Sequence, residues 1–115
     1  MKNLNTIDMS SVPLAITRYF EAANRFDSAD AAACFTEDAT VRDEGHQHVG
    51  RDAIQAWVSQ ASEKYQPRAT VLDVREDADK TAVRVRVEGQ FPGSSIELNF
   101  QFSLRDGAIA QLAIQ

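Results

Sequence analysis

The spacing of apolar residues divides the chain into two parts at about Pro67. In the first part, apolar residues recur every three or four positions, which predicts helices that bury one face. The first helix is marked by Val12, Ile16, Tyr19, Phe20, Ala23 and Phe26. The third is marked by Ile54, Trp57, Val58, Ala61 and Tyr65, and Pro67 ends it. Between them, a short helix is predicted from about Ser28 to Phe35, with Asp27 as its N-cap.

The start of the first helix also marks the start of the folded part. Ser11 is suited to cap this helix, and Pro13 suits its first turn. We expect residues 1–11 to form a flexible, polar leader and residues 12–115 to form a single domain.

After Pro67, apolar and polar residues alternate, which predicts four strands joined by tight turns. The inward residues of the first strand are Thr70, Leu72 and Val74. Those of the second are Val83, Val85, Val87 and Phe91, those of the third are Ile96, Leu98, Phe100, Phe102 and Leu104, and the last strand spans 109–114. The turns are Asp77-Ala78-Asp79, Pro92-Gly93-Ser94-Ser95 and Asp106-Gly107. This order predicts an α+β domain in which three N-terminal helices cover a curved, mainly antiparallel sheet, enclosing an apolar small-molecule pocket.

Composition excludes several kinds of function. The net charge is −5 and no run of Lys or Arg occurs, which argues against nucleic-acid binding. Cys34 is the only cysteine, so the chain has neither an internal disulfide nor a thiolate metal cluster. No apolar run approaches the length of a membrane span, and no secretory signal is present, so we expect a cytoplasmic protein.

Asp43 is the strongest candidate functional residue. It ends a short strand in which alternate side chains share a face, which places it on the side of Ala39 and Val41. A carboxylate directed toward a core is costly unless it is paired or lies in a pocket. We therefore expect Asp43 to line a pocket; the alternative is a structural bond to a backbone amide or an arginine.

Three stretches of the chain carry a family resemblance: residues 16–24, 34–43 and 49–57. With the final strands, they make residues 12–114 resemble the nuclear transport factor 2-like superfamily, in its polyketide cyclase (SnoaL-like) and ketosteroid isomerase-like branch. The resemblance implies a cone-shaped α+β fold. It leaves the activity open, because this superfamily includes isomerases, cyclases, dehydratases, epoxide hydrolases and non-enzymatic binders.

The ketosteroid isomerase branch implies roles for particular residues. Arg18-Tyr19 resembles a pair whose tyrosine donates a hydrogen bond to the oxyanion, and Asp43 ends a strand, Asp38–Asp43, similar to the one that carries the base. A protonated Asp completes that site, and Phe100 stands at its position here. The resemblance thus implies cofactor-independent proton abstraction next to a carbonyl of an apolar or polycyclic ligand. Phe100 favours the alternative, a non-catalytic binding or structural module, in which Tyr19 is a core aromatic.

His46 and His48 lie in a segment, 45–50, that we expect to be a loop. Their spacing suggests a metal site with Asp43 or Glu44 as a further ligand. Because the chain has no other histidine and only one cysteine, a surface loop is the preferred interpretation and we expect no metal. Alternatively, one of them is an acid–base partner for Asp43. If either faces inward, dehydratase or epoxide hydrolase chemistry on water becomes a further alternative.

Two sets of residues complete the predicted surfaces. We expect the pocket wall to comprise Phe20, Trp57, Phe91, Phe100 and Phe102, although such aromatic residues also fill ordinary cores. The outer face of the predicted sheet is polar and carries both charge signs: Arg84, Arg86, Glu88, Gln90, Glu97, Asn99, Gln101 and Arg105. The resemblance implies a homodimer through this face, and the alternative is a solvated surface.

Overall fold

The computed structural model describes residues 12–115, so the predicted leader and the Ser11 cap lie outside the described residues. The elements are α1 (Leu14–Asn24), α2 (Ser28–Ala33), β1 (Phe35–Asp43), β2 (His46–Val49), α3 (Arg51–Tyr65), β3 (Arg68–Asp77), β4 (Lys80–Glu88), β5 (Ile96–Arg105) and β6 (Ala108–Ile114). Within residues 12–115, no helix is both long and apolar enough to cross a membrane.

The six strands form one sheet in the order β2-β1-β6-β5-β4-β3. Neighbouring strands are antiparallel except for β1 and β6, which are parallel. The helices pack on one face, and the core lies between them and inward residues such as Val83, Val85 and Phe102. This arrangement confirms the predicted α+β fold with helices on a curved, mainly antiparallel sheet.

Local chemistry explains the helix ends. The Asp27 carboxylate accepts a hydrogen bond from the Asp30 amide at 3.0 Å and caps α2 as predicted. That helix ends at Ala33, earlier than expected, because Phe35 instead begins β1 and is fully buried in the core. The third helix ends where predicted, with Gln66 in the left-handed region immediately before Pro67.

The predicted loop at 45–50 is wrong, because residues 46–49 form β2. Glu44 and Gly45 have φ values of 52° and 77° and make a two-residue turn, after which β2 pairs with β1. The pattern gave no sign of this strand, since its inward residues are histidines rather than apolar side chains.

The predicted inward face of β3 is also wrong in part. The pairing of β3 with β4 shifts register between Val71 and Asp73, so Val71 and Val74 pack against the core, with Ala69, in place of a strict series through Thr70 and Leu72. An extra residue at such a bulge changes which side chains face inward.

Candidate functional site

A cavity of about 700 Å³ lies between the helices and the inner face of the sheet. Its aromatic wall consists of Tyr19, Phe20, Trp57, Tyr65, Phe91 and Phe100. Its carboxylate and imidazole side chains collect at the β1–β2 hairpin: Asp43, Glu44, His46 and His48. The cavity therefore has a polar end at this hairpin, and its remaining walls are mainly apolar.

Asp43 is half-buried at the end of β1 and lines the polar end. Its Oδ2 accepts a hydrogen bond of 3.1 Å from the indole N–H of Trp57. Burial raises the pKa of the Asp43 carboxyl above its ordinary value, and the charge of Glu44 adds to this, while the Trp57 hydrogen bond lowers it. Asp43 is thus a more basic carboxylate than one in water, which suits a proton acceptor.

Tyr19 lines the same cavity from α1 and is almost completely buried. Its ring packs edge-on against Phe20, Phe35 and Phe102, with centroids 5.1, 5.6 and 6.0 Å away. Burial, and then the negative charge of Asp43, raise the pKa of the Tyr19 phenol well above its ordinary value. The hydroxyl therefore stays protonated at neutral pH and is available as a hydrogen-bond donor.

His46 and His48 both line the cavity from β2. In the hairpin, His46 pairs with Asp43 and His48 with Val41, and directly opposed residues of an antiparallel pair share a face. The His48 ring also stacks on Trp57, with centroids 5.9 Å apart and planes at 29°. Among residues 12–115, no three His, Cys, Asp or Glu side chains are grouped to hold a metal ion.

The far end of the cavity is formed where the β4–β5 connection meets the end of α3. The Gln90 amide donates to the Tyr65 carbonyl at 2.7 Å, and the rings of Tyr65 and Phe91 meet edge-on at 5.8 Å. A Cβ at position 89 would lie 2.7 Å from that same carbonyl, so only glycine permits this approach. Phe91 consequently lies in a loop beyond the end of β4, not within the strand as its alternation predicted.

The predicted phenylalanine wall needs one correction. Phe20 and Phe100 line the cavity, but Phe102 does not, because its ring is fully buried behind them, 5.8 Å from Phe20 and 6.2 Å from Phe100. Phe100 occupies the position at which the sequence comparison expects a protonated Asp. The inward residues of β5 in the core are all apolar: Leu98, Phe100, Phe102 and Leu104.

Several residues that line the cavity were not predicted from the sequence. Gln60 and Lys64 line it from α3, three and seven positions after Trp57, a spacing that places all three on one side of the helix. Asn24 also lines it, and its amide donates to the Ala69 carbonyl at 2.9 Å and accepts from the Ala69 N–H at 2.8 Å. Asn24 therefore joins α1 to β3.

Arg18 does not line this cavity. It lies on a separate groove of about 460 Å³, which α1 forms with the α2–β1 junction and which Cys34 also borders. Burial raises the pKa of the Cys34 thiol. The Arg18-Tyr19 pair thus points to two sides of α1, and only the tyrosine reaches the site of Asp43.

Comparison with known proteins supports this description. A family model described as a SnoaL-like domain matches residues 16–112. The crystal structure of a candidate polyketide cyclase from Sinorhizobium meliloti is 37% identical, covers 95% of this chain and 100% of that chain, and superposes with a TM-score of 0.91. No curated protein matches the sequence.

More distant structures share the fold. A protein from Catenulispora acidiphila with a ketosteroid isomerase-like fold, crystallised with trimethylamine, is 16% identical, with 91% of this chain and 86% of that chain covered and a TM-score of 0.84. A candidate ketosteroid isomerase from Kribbella flavida is also 16% identical, with 89% and 74% covered and a TM-score of 0.76.

Proposed function

Because the chain belongs to the SnoaL-like domain family, we propose that it is an enzyme that moves a proton next to a carbonyl group of an apolar ligand, as an isomerase or a cyclase does. The observation that carries this proposal is a half-buried carboxylate, Asp43, in an aromatic cavity that it shares with the protonated Tyr19. The printed description of the Sinorhizobium meliloti relative as a candidate polyketide cyclase is consistent with it.

The chemistry requires both groups. Asp43 takes a proton from the carbon beside the carbonyl, and the electron pair of that C–H bond moves to the carbonyl oxygen, forming an enolate. The Tyr19 hydroxyl donates a hydrogen bond to that oxygen, where the negative charge develops. An isomerase then returns the proton from Asp43 to another carbon. In a cyclase the enolate carbon attacks a second carbonyl to close a ring, and the oxygen of that carbonyl takes the proton back from Asp43 to become a hydroxyl group.

The test uses a probe reaction, exchange of the α-hydrogens of 2-tetralone in D₂O, followed by proton NMR. Loss of a general base typically lowers a rate by about 10²- to 10⁴-fold, so we expect that loss in Asp43→Asn. Loss of one oxyanion donor lowers it by about 10²-fold, which we expect for Tyr19→Phe. Glu44→Gln is the matched control, and its rate should remain close to that of the wild type.

The outcomes separate enzyme from binder. Exchange that continues unchanged in Asp43→Asn excludes this residue as the base. A wild-type protein that binds the ketone, as shown by quenching of its single tryptophan, without accelerating exchange supports the non-catalytic module that Phe100 favours.

A second candidate function is water chemistry of the dehydratase or epoxide hydrolase kind. The observation that favours it is that His46 and His48 line the cavity on the same side as Asp43. Imidazole and carboxylate together can activate water. If this is the reaction, His48→Ala should abolish incorporation of ¹⁸O from labelled water into an epoxide probe while leaving α-hydrogen exchange intact. Equal incorporation of ¹⁸O by the wild type and His48→Ala would exclude His48 from this role.

We also propose that two copies pair through the outer face of the sheet. Exposed residues of β4 and β5 carry both charge signs there, including Arg84 and Glu97, whose side chains lie 3.9 Å apart. Mixed charges can complement themselves across a two-fold axis. Sedimentation should give twice the chain mass of 12.7 kDa, and Arg86→Glu should weaken the dimer by about tenfold or more. Lys64→Glu, on the helical side, is the control; a monomeric wild type would end this proposal.

A further inference from the structure

Trp57 connects the helical layer to the polar end of the cavity. Its indole N–H donates to Asp43 Oδ2 at 3.1 Å, and its ring stacks on His48. We infer that Trp57 is a positioning residue for Asp43, whose carboxylate it holds in one orientation within the cavity through the indole N–H. The consequence for catalysis rests on the proposed function, but the contact itself belongs to the free protein.

The backbone fixes the relative position of these two residues. The Gly50 amide donates to the Ala39 carbonyl at 2.8 Å, and Arg51 Nε donates to the Phe35 carbonyl at 2.9 Å. Ile54, in the next turn of α3, is fully buried. These contacts fasten the start of α3 to β1, the strand that carries Asp43, so the fold itself keeps Trp57 within reach of the carboxylate.

The charges around Asp43 give this hydrogen bond its effect. The titratable groups at this end of the cavity are Tyr19 from α1, Glu44 from the hairpin turn, and His46 and His48 from β2. Burial is the largest influence and raises the pKa of Asp43, as does Glu44. The Trp57 hydrogen bond is the largest influence in the opposite direction, ahead of His48 and the Glu44 amide. Trp57 therefore favours the ionised carboxylate in surroundings that favour the acid.

The geometry also determines which oxygen can react. Trp57 occupies Oδ2, and within residues 12–115 no other side chain donates a hydrogen bond to this carboxylate. Apart from Trp57, only the Glu44 backbone amide in this described part of the chain stabilises the carboxylate by hydrogen bonding, so the second oxygen has no side-chain donor and can meet a proton of the ligand. A base that a side chain holds at one oxygen reacts from one orientation, which limits the rotational freedom lost in reaching the transition state.

The inference can be tested by replacing only the indole N–H of Trp57, because Trp57 is the only tryptophan of the chain. Replacing tryptophan throughout with β-(3-benzothienyl)alanine keeps the bicyclic ring and exchanges the N–H for sulfur at this position alone. The pKa of Asp43, followed by ¹³C NMR of its carboxyl carbon without any ligand, should rise by about one unit. Trp57→Phe should give a shift of the same sign, and Tyr65→Phe, at the far end of the cavity, should give none.

An unchanged pKa of Asp43 in the benzothienyl protein would overturn the inference. A purely structural role predicts a lower melting temperature with the same Asp43 pKa, so the titration distinguishes the two. In the 2-tetralone assay, the acidic limb of the pH–rate profile should move upward with the Asp43 pKa. Because the titration needs no turnover, it can support the role of Trp57 even if the protein proves not to exchange the ketone, and the proposed function can fail separately.

Discussion

The β4–β5 and β1–β2 hairpins both alternate inward and outward side chains, but their inward residues differ in chemistry. In the β4–β5 hairpin, the inward pairs are apolar, as in Val83 with Phe100 and Val85 with Leu98. In the β1–β2 hairpin, the inward positions beyond Val41 hold Asp43 and the two histidines that face the cavity. The β4–β5 hairpin supplies core and apolar cavity wall, and the β1–β2 hairpin supplies the carboxylates and imidazoles of the cavity.

The difference shows where this fold tolerates polar burial. The inward residues Val83, Val85 and Phe102 of β4 and β5 are almost completely buried in the core, where an unpaired carboxylate would be very costly. The β1–β2 hairpin lies near the edge of the sheet, and its inward residues border open space in the cavity. Polar inward residues are therefore a sign of a cavity wall, whereas apolar inward residues occur both in the core, as Phe102 does, and on the cavity wall, as Phe100 does.

The largest effect should come from the apolar hairpin. Phe102 is fully buried among three aromatic rings. Phe102→Ala should therefore lower the free energy of unfolding, measured by urea denaturation, by about 3–5 kcal/mol. Phe91→Ala is the matched control, because this ring borders the cavity and is only partly buried; its loss should be about 1 kcal/mol. Equal losses for the two would contradict the division into core and cavity wall.

An intermediate effect should follow from crowding at the far end of the cavity. In Gly89→Ala, the new Cβ would meet the Tyr65 carbonyl at 2.7 Å, so the loop must separate from α3. We expect a loss of about 1–3 kcal/mol in unfolding free energy, with the ¹³C-measured pKa of Asp43 unchanged. Glu88→Ala, at the exposed last residue of β4, is the control for the effect of alanine on strand propensity. A shift of the Asp43 pKa in Gly89→Ala would show that the two ends of the cavity are coupled.

The smallest effect should be a pH dependence with opposite signs at two positions of β1. The pKa of Asp43 is raised in the folded state, so its contribution to stability is fully present below the unfolded value of about 3.9 and is lost as the pH rises through the folded value. Hydrogen bonds from Arg105 and Thr36 lower the pKa of the exposed Asp38, whose contribution is instead lost as the pH falls. Unfolding free energies measured across this range for Asp43→Asn and Asp38→Asn should deviate from the wild type in opposite directions; deviations in the same direction would refute the assignment.

Sequence periodicity predicted most of the fold because most inward residues are apolar. It predicted α1, α3, β4 and β5 from their apolar faces, and Asp27 as a cap. It missed β2 because the inward side chains of that strand are histidines, and it misplaced the inward face of β3 because a bulge separates Val71 from Asp73. Regular periods cannot reveal an inserted residue.

The site was less accessible to prediction than the fold. Alternation along β1 singled out Asp43, but no spacing in the sequence joins it to Trp57, since that contact depends on how α3 docks on the strand. The same holds for the separation of Arg18 from Tyr19, which follows from the rotation of α1 about its axis. Contacts between elements are decided by packing, and the linear pattern records only which face of each element is apolar.

The parallel pairing of β1 with β6 has a consequence for how fast this protein acquires its structure. It joins Phe35 to Ile109 and Val41 to Leu112, and it is the seam that unites the β1–β2 hairpin with the antiparallel strands β3–β6. The hairpins on either side close over short stretches of chain, whereas this seam must bring together distant segments before any contact rewards the lost chain entropy. Formation of the seam should therefore limit the refolding rate, and the cavity, whose walls come from both sides of it, exists only once that slow step is complete.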